Sequence, residues 1–164
     1  MLLEGKVAIV SGIGPGMGRD IALALAREGA DIALGARREQ YLVAVAEEIE
    51  ALGRRAVWSP TDICDRPACD ALAAKANDEL GRVDILVNNA FHDGGFDHFA
   101  DADLSTWHVP MDINFFGTLN LTQAALPYLT AQDDSRIVMV NTMSVQHAEE
   151  RFGAYAASKA ALSM

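Results

Sequence analysis

Short runs of apolar residues alternate along the chain with longer segments in which apolar residues recur every three or four positions. The short runs predict buried parallel strands, which we place at residues 6–10, 32–36, 55–59, 83–87 and 137–140. The longer segments predict helices, which we place at residues 18–28, 42–52, 66–80, 104–129 and from 154 onward. Pro127 is expected to kink or end the fourth helix. The alternation predicts one α/β domain over residues 1–164, a doubly wound parallel sheet with helices on both faces.

A glycine-rich turn follows the first strand and opens the first helix. Residues 11–18 read Ser-Gly-Ile-Gly-Pro-Gly-Met-Gly. Glycines there let the backbone approach a pyrophosphate, and the free N–H groups at the helix start face its charge. A plain strand-to-helix turn is the alternative, but the position at the start of an α/β chain favours a dinucleotide site of the Rossmann type. The residues predicted to contact the cofactor here are Gly12, Gly14, Gly16, Met17 and Gly18.

The end of the second strand bears on which dinucleotide is bound. An acidic residue about 20 residues after the glycine turn would bind the ribose 2′-hydroxyl of NAD. This chain instead reads Gly-Ala-Arg-Arg at 35–38, and no carboxylate follows until Glu39. The guanidiniums of Arg37 and Arg38 suit the additional 2′-phosphate of NADP. The sequence therefore favours NADP(H), with NAD(H) still possible and a solvated basic helix start as the other interpretation.

A tyrosine and a lysine stand four residues apart near the last residues of the sequence. In a helix this offset places Tyr155 and Lys159 on one face, one turn apart. An ammonium beside a phenol favours the phenolate, so the tyrosine becomes a usable general acid and base near neutral pH. The pair indicates proton transfer.

Together these motifs resemble the short-chain dehydrogenase/reductase family, and the resemblance covers essentially the whole chain. Residues 11–18 match the family's Thr-Gly-x-x-x-Gly-x-Gly turn, with serine in place of threonine. Residues 88–90 match its Asn-Asn-Ala-Gly segment, except that Phe91 replaces the glycine. The resemblance adds five cofactor-site or catalytic candidates: Asp62 and Ile63 at the adenine, Asn89 and Ala90 after the fourth strand, and Asn114 in the long helix.

The resemblance also implies a reaction, the interconversion of a carbonyl and a secondary alcohol by hydride transfer with a nicotinamide cofactor. Tyr155 would transfer the proton, and Lys159 would lower the pKa of the tyrosine and bind the nicotinamide ribose. Asn114 would hold a water that links Lys159 to solvent. The family's serine, which orients the substrate oxygen, is assigned to Ser144, 11 residues before the tyrosine; Thr142, at 13, also carries a hydroxyl.

Members of the family continue for roughly another third of a chain, with further strands and a loop that covers the substrate. The resemblance therefore implies a sheet that lacks its last strands here, and the fifth strand is expected to form an exposed edge. It also implies a homodimer or homotetramer. The alternative is a truncated, non-catalytic nucleotide-binding or interaction protein of the same fold.

Composition narrows the class of partner. With 51% hydrophobic and 22% charged residues, the chain is typical of a soluble globular domain. A formal charge of −10 argues against nucleic acid and anionic membranes as partners. No apolar run reaches the length of a membrane span and no signal peptide is recognised. Cys64 and Cys69 form neither a disulfide framework nor a zinc pattern, so we expect a reduced, cytoplasmic setting.

Histidines and aspartates cluster in the loop after the fourth strand and just beyond it, but they do not indicate a metal site. The spacings of His92, Asp93, Asp97, His98 and His108 match no zinc template, so no metal is predicted. The first of these histidines and its neighbour Phe91 nevertheless lie just beyond the fourth strand, where substrate and nicotinamide would meet.

Overall fold

The computed structural model describes residues 1–147 and 149–163. Its centre is a five-stranded parallel sheet in the order β3-β2-β1-β4-β5. The strands are β1 (Val7–Ser11), β2 (Asp31–Ala36), β3 (Ala56–Pro60), β4 (Ile85–Asn88) and β5 (Arg136–Met139). The helices are α1 (Met17–Arg27), α2 (Glu39–Ala51), α3 (Arg66–Leu80), α4 (His108–Met111), α5 (Thr118–Leu129) and α6 (Gly153–Leu162). The predicted doubly wound parallel sheet is confirmed.

Helices cover the sheet on both faces because the central strands are apolar on both sides. One apolar cluster joins the sheet to α3 and α5, with Leu72, Leu86 and Leu121 fully buried. The other joins the opposite face to α1 and α2 through Ile32 and Ile49. Five predicted strands lie within two residues of their observed bounds. The edge strand β5 is exposed as expected: Ile137 and Val138 are 42% and 46% exposed.

The prediction of one regular helix over residues 104–129 is wrong. A short 3₁₀ turn at Leu104–Thr106 precedes α4, and a π-helical segment, Asp112–Gly117, joins α4 to α5. A Cβ on Gly117 would lie 2.7 Å from the side chain of Ile63, so this part of the helix packs tightly against the turn after β3. Helix α5 ends at Leu129, as predicted, but it continues through Pro127, so the proline does not end the helix.

A buried carboxylate closes the amino end of the sheet. Asp84, which precedes β4, is completely buried. It accepts hydrogen bonds from the Val7 N–H (3.0 Å), Lys6 Nζ (3.1 Å) and Arg82 Nη2 (2.7 Å). Burial opposes ionisation, but these hydrogen bonds outweigh it and hold the pKa of the Asp84 carboxyl below its ordinary value. The carboxylate is therefore part of what fixes β4 beside β1.

Replacement of Asp84 by Asn is expected to lower the free energy of unfolding at pH 7 by about 2 kcal/mol, because charged hydrogen bonds are lost from a buried site. A depressed folded pKa stabilises the protein above the ordinary carboxyl pKa of about 3.9, and this contribution disappears as the pH falls through the folded value. Urea unfolding of both proteins at pH 7 and near pH 3 measures the difference, which should shrink at low pH. Asp134→Asn, in an exposed pair with Arg136, is the control and should change little. Equal effects of the two substitutions would contradict the structural role of Asp84.

Candidate active site

The glycine turn after β1 lies against the end of β4 with no room for side chains between them. Gly12 has a φ of +76°, and a Cβ there would lie 2.6 Å from the backbone N and Cα of Ala90. A Cβ on Gly18 would overlap the Gly12 carbonyl oxygen. Asn89 holds the two segments together, because its Nδ2 donates to the carbonyls of Ser11 (3.0 Å) and Gly12 (3.1 Å). This packing sets the path of the backbone on both sides of the turn.

A cleft of about 300 Å³ opens over this turn at the carboxyl ends of the strands. It brings together eleven predicted cofactor-site residues: Gly12, Gly14, Gly16, Met17, Gly18, Arg37, Arg38, Asp62, Ile63, Asn89 and Ala90. The predicted Tyr155 and Lys159 are not part of its lining. Gly14 and Gly16 have nothing within 4 Å of where a Cβ would be, which leaves the backbone there open to a close ligand.

Further residues line the cleft that the sequence reasoning did not single out: Ile13, Pro15, Gly35, Ala36, Thr61 and Ile113. Most of them adjoin residues that were predicted, or follow β3, so the rule that ligands bind beyond the carboxyl ends of strands would have found them. Ile113 adjoins the predicted Asn114 in sequence, but it does not follow a strand and reaches the cleft from the π-helical segment.

The two arginines after β2 lie at the rim of the cleft and are exposed. The Arg38 guanidinium carbon lies 4.5 Å from the centre of the Tyr41 ring, a cation–π contact that leaves its N–H groups free to bind an anion. Within residues 1–147 and 149–163, neither arginine forms an ion pair with a carboxylate. The rim thus offers two uncompensated cations to a phosphate.

Helix α6 carries Tyr155 and Lys159 one turn apart on one face, as predicted. Lys159 is 2% exposed, and its Nζ donates to the carbonyl of Val140 (2.8 Å), just after β5. Burial lowers the pKa of Lys159, since an ammonium is less well solvated there than in water. Tyr155 is half-buried, and its ring lies edge-on to that of Phe91 with 6.3 Å between centroids. Phe91 also lines the cleft, so this ring joins the cleft to the tyrosine.

Asn114 is fully buried in the π-helical segment and connects the loop after β4 to α6. Its Oδ1 accepts from the His92 N–H (2.7 Å), and its Nδ2 donates to the His92 carbonyl (2.9 Å) and to Ser158 Oγ (2.8 Å). Ser158 Oγ in turn donates to the Tyr155 carbonyl (2.8 Å). The amide thereby fixes both the start of the loop and the helix that carries the tyrosine.

The two hydroxyls considered for the substrate oxygen lie together in the turn after β5. Ser144 is 8% exposed. Thr142 Oγ1 donates to Ser144 Oγ (3.3 Å), which donates to Glu149 Oε1 (3.4 Å). Glu149 was not foreseen, because nothing in its spacing from the serine marks it. The structure brings both candidate hydroxyls to one place, where each touches the other.

Comparison with known proteins identifies the family of this chain. The family model described as short chain dehydrogenase matches residues 6–164. The chain belongs to the short-chain dehydrogenase family. The predicted family resemblance is thereby confirmed.

Relatives within this family differ in their ligands. A fatty acyl-CoA reductase from Acinetobacter baylyi is 34% identical over 167 residues, which cover 98% of this chain and 55% of the reductase. Carveol dehydrogenase from Mycobacterium avium in complex with NAD has a TM-score of 0.93 at 28% identity, covering 98% of this chain and 63% of that one. A short chain dehydrogenase from Burkholderia cenocepacia in complex with NADP has a TM-score of 0.90 at 34% identity, covering 99% of this chain and 66% of that one. The chain thus spans between about half and two thirds of the length of these relatives.

Two histidines, His92 and His98, form hydrogen bonds of the loop after β4. His92 Nδ1 accepts from the Gly94 N–H (3.0 Å), and His98 Nε2 accepts from Arg151 Nε (3.1 Å). Over residues 1–147 and 149–163, no three His, Cys, Asp or Glu side chains are grouped as metal ligands would be. In the same part of the chain, none of the helices combines the length and apolar character needed to cross a bilayer.

Two glycines of the turn should respond differently to an added methyl group. Gly16→Ala is expected to weaken binding of the dinucleotide about tenfold or more, because the new Cβ occupies open space where the pyrophosphate would approach. Gly18→Ala is expected mainly to lower the melting temperature by several degrees, because its Cβ overlaps the backbone of Gly12. Fluorescence titration with NADPH and thermal unfolding of both variants measure the two effects. The reverse assignment of the effects would show that the cleft is not the dinucleotide site.

Proposed function

We propose that the protein is an NADP(H)-dependent oxidoreductase that interconverts a carbonyl compound and a secondary alcohol. The observation that carries the proposal is the position of Phe91, which lines the dinucleotide cleft and also contacts the ring of Tyr155. The general acid and base therefore lies where the cleft ends. A bound nicotinamide would supply the hydride, and the protein's own contribution is positioning and proton transfer.

Tyr155 gives its phenolic proton to the carbonyl oxygen during reduction and takes the alcohol proton in the reverse direction. Its proposed partner is Lys159, which lies one turn further along the same face of α6. The buried position of this lysine supports the role, because a charge acts over a greater distance where water is excluded. Its Nζ donates to the Val140 carbonyl and retains two further donors for the tyrosine and the ribose.

The remaining catalytic candidates would position the reacting groups. Ser144 would orient and polarise the substrate oxygen, with Thr142 as the alternative hydroxyl. The side chain of Asn114 is occupied by protein partners, so a water linking Lys159 to solvent would bond to its backbone carbonyl. That carbonyl also accepts from Thr118 Oγ1 (2.9 Å).

The proposed chemistry predicts distinct effects of three substitutions. Tyr155→Phe should lower kcat by about a thousandfold or more with little change in NADPH affinity, because it removes the proton donor but keeps the ring. Ser144→Ala should lower kcat/KM by about a hundredfold, and Thr142→Ala should have the smaller effect if the serine is the substrate-orienting hydroxyl. NADPH consumption across a panel of ketones measures all three.

Two outcomes would count against this mechanism. Unchanged turnover in Tyr155→Phe would eliminate the tyrosine as acid and base. NADPH binding without turnover of any carbonyl by the intact protein would favour the alternative, a non-catalytic nucleotide-binding protein.

NADP is the proposed cofactor because Arg37 and Arg38 stand uncompensated at the rim where the adenosine ribose would lie. The cleft residues fit a dinucleotide in three further respects: the open space at Gly14 and Gly16, the free N–H groups at the start of α1, and Asp62 and Ile63 at the adenine end. The relatives bind either form, as the NAD and NADP complexes named above illustrate. The choice therefore depends on these two side chains.

Removal of both guanidiniums should reverse the cofactor preference. We expect the Arg37→Ala, Arg38→Ala double variant to bind NADPH about a hundredfold more weakly, because two charge-assisted contacts to phosphate are lost, while NADH affinity changes little. Dissociation constants for both cofactors, measured by fluorescence at fixed ionic strength, provide the test. Equal losses for NADPH and NADH would show that the arginines do not contact the 2′-phosphate.

The proposal extends to assembly and location. The helix from α4 to α5 exposes the large apolar side chains Phe116, Leu119 and Leu126, at 53%, 39% and 41%, and we propose that they pack against a second copy in a homodimer or homotetramer. Sedimentation equilibrium of the intact protein distinguishes these states from a monomer. The unpaired Cys64 and Cys69 support a cytoplasmic location, which fractionation would test.

A further inference from the structure

Four aromatic rings form a continuous row around the proposed catalytic tyrosine. Phe91 lies edge-on to Tyr155 with 6.3 Å between centroids, and Tyr155 lies edge-on to Phe152 at 6.1 Å. Phe152 continues the row to Phe96 at 5.1 Å. We refer to Phe91, Tyr155, Phe152 and Phe96 as the aromatic row. It begins at the cofactor cleft, which Phe91 lines, and leads away from it along the loop after β4.

The outer members of the aromatic row expose a large apolar surface beside the acid and base. Phe91 is 56% exposed and Phe96 is 51% exposed. Helix α6 is held in place by other contacts, through Lys159 to Val140 and through Ser158 to Asn114. The exposed ring faces are therefore not needed to dock the helix, and apolar surface of this kind at a proposed reaction centre indicates a binding site.

The position of Phe91 is itself informative, since the family's motif has glycine there. A ring in place of a hydrogen fills space between the cleft and the tyrosine and makes that space apolar. Its contact with Tyr155 places it within reach of any molecule whose oxygen bonds to the phenol. A substrate bound to Tyr155 must accordingly lie against Phe91.

The charged residues near the row argue against one class of substrate. Four carboxylates, those of Asp93, Asp97, Glu149 and Glu150, lie within three residues in sequence of a member of the row, and Arg151 donates to His98 Nε2. Carboxylate or phosphate groups on a substrate would be repelled, and the rings offer no partners for the many hydroxyls of a sugar.

On the basis of the proposed function, we propose that Phe91, Phe96 and Phe152 form the substrate wall and select neutral carbonyl compounds that carry an aromatic or alicyclic ring. The ring packs against the phenylalanines, and the carbonyl oxygen bonds to Tyr155. In reduction a bound reduced nicotinamide would supply the hydride to the carbonyl carbon and Tyr155 would supply the proton to the oxygen, so that a C–H and an O–H bond replace the C=O π bond and the nicotinamide is left oxidised. The tyrosine regains its proton from solvent.

The test compares an aryl ketone with a small polar ketone in binding and in turnover. Acetophenone and hydroxyacetone are titrated into the intact protein in the presence of NADP⁺, where no reduction occurs, and dissociation constants are read by NMR. We expect acetophenone to bind about tenfold or more tightly. Phe91→Ala should weaken the binding of acetophenone about tenfold and the binding of hydroxyacetone less than about twofold. With NADPH, the ratio of kcat/KM for the two ketones should fall in parallel.

Phe99→Ala is the matched control. Phe99 lies in the same loop and is 73% exposed, but its ring contacts Trp107 and does not belong to the aromatic row. Its replacement should leave acetophenone binding unchanged. An effect as large as that of Phe91→Ala, an equal loss of both ketones in Phe91→Ala, or the absence of acetophenone binding by the wild type would each overturn the proposal.

Failure of this proposal is distinguishable from failure of the proposed function. Ketone binding that depends on Phe91, without turnover by the wild type, would contradict the proposed oxidoreductase activity but support the proposed substrate wall. Turnover of both ketones with no dependence on Phe91 would support the oxidoreductase activity and contradict the substrate wall. Acetophenone that fails to bind while Phe91→Ala alters the oligomeric state would show that the row packs against protein.

Discussion

Between the turn after β1 and the end of β4 there is no room for a side chain at Gly12 or at Gly18. The amide of Asn89 closes this contact with two hydrogen bonds, and the chain that leaves β4 is then fixed in direction. Ala90 and Phe91 follow at the edge of the cleft, and His92 meets Asn114. The site is therefore assembled outward from one close backbone contact, and the tyrosine helix is its last member.

Charge is divided between the two ends of the sheet. At the amino ends, the buried Asp84 and the nearly buried Asp31 are paired with lysine and arginine side chains, and these pairs fix neighbouring strands. At the carboxyl ends, the cations Arg37 and Arg38 lack such partners among the described residues. An acidic protein can hold an anionic cofactor in this way, because the local field of two nearby guanidiniums exceeds the screened field of distant carboxylates.

Much of the fold was predictable because apolar runs and glycines report local rules. The five strands follow from the apolar runs. The glycine turn and most of the cleft follow from the motifs at residues 11–18, 35–38 and 88–90. The π-helical segment was not predictable, since the apolar spacing over 104–129 fits one regular helix. The close approach of Gly117 to Ile63 was not predictable either, because the two residues are distant in sequence. The contact of Glu149 with Ser144 and the aromatic row were not predictable either, because they depend on how separate segments of the chain pack together. The predicted roles of Asn114, Ser144, Tyr155 and Lys159 remain predictions.

The amide of Asn114 has an evolutionary consequence. It is the shared partner of His92 and Ser158, which lie 22 and 44 residues away in sequence. A mutation at Asn114 would leave the His92 N–H without its acceptor and Ser158 without its donor. The contribution of Ser158 to stability therefore depends on Asn114. Such positions are epistatic, and a double-mutant cycle would report a coupling free energy rather than additivity. Within this lineage, drift at either end of the connection is constrained by the other, so the loop after β4 and the tyrosine helix are expected to diversify as one unit.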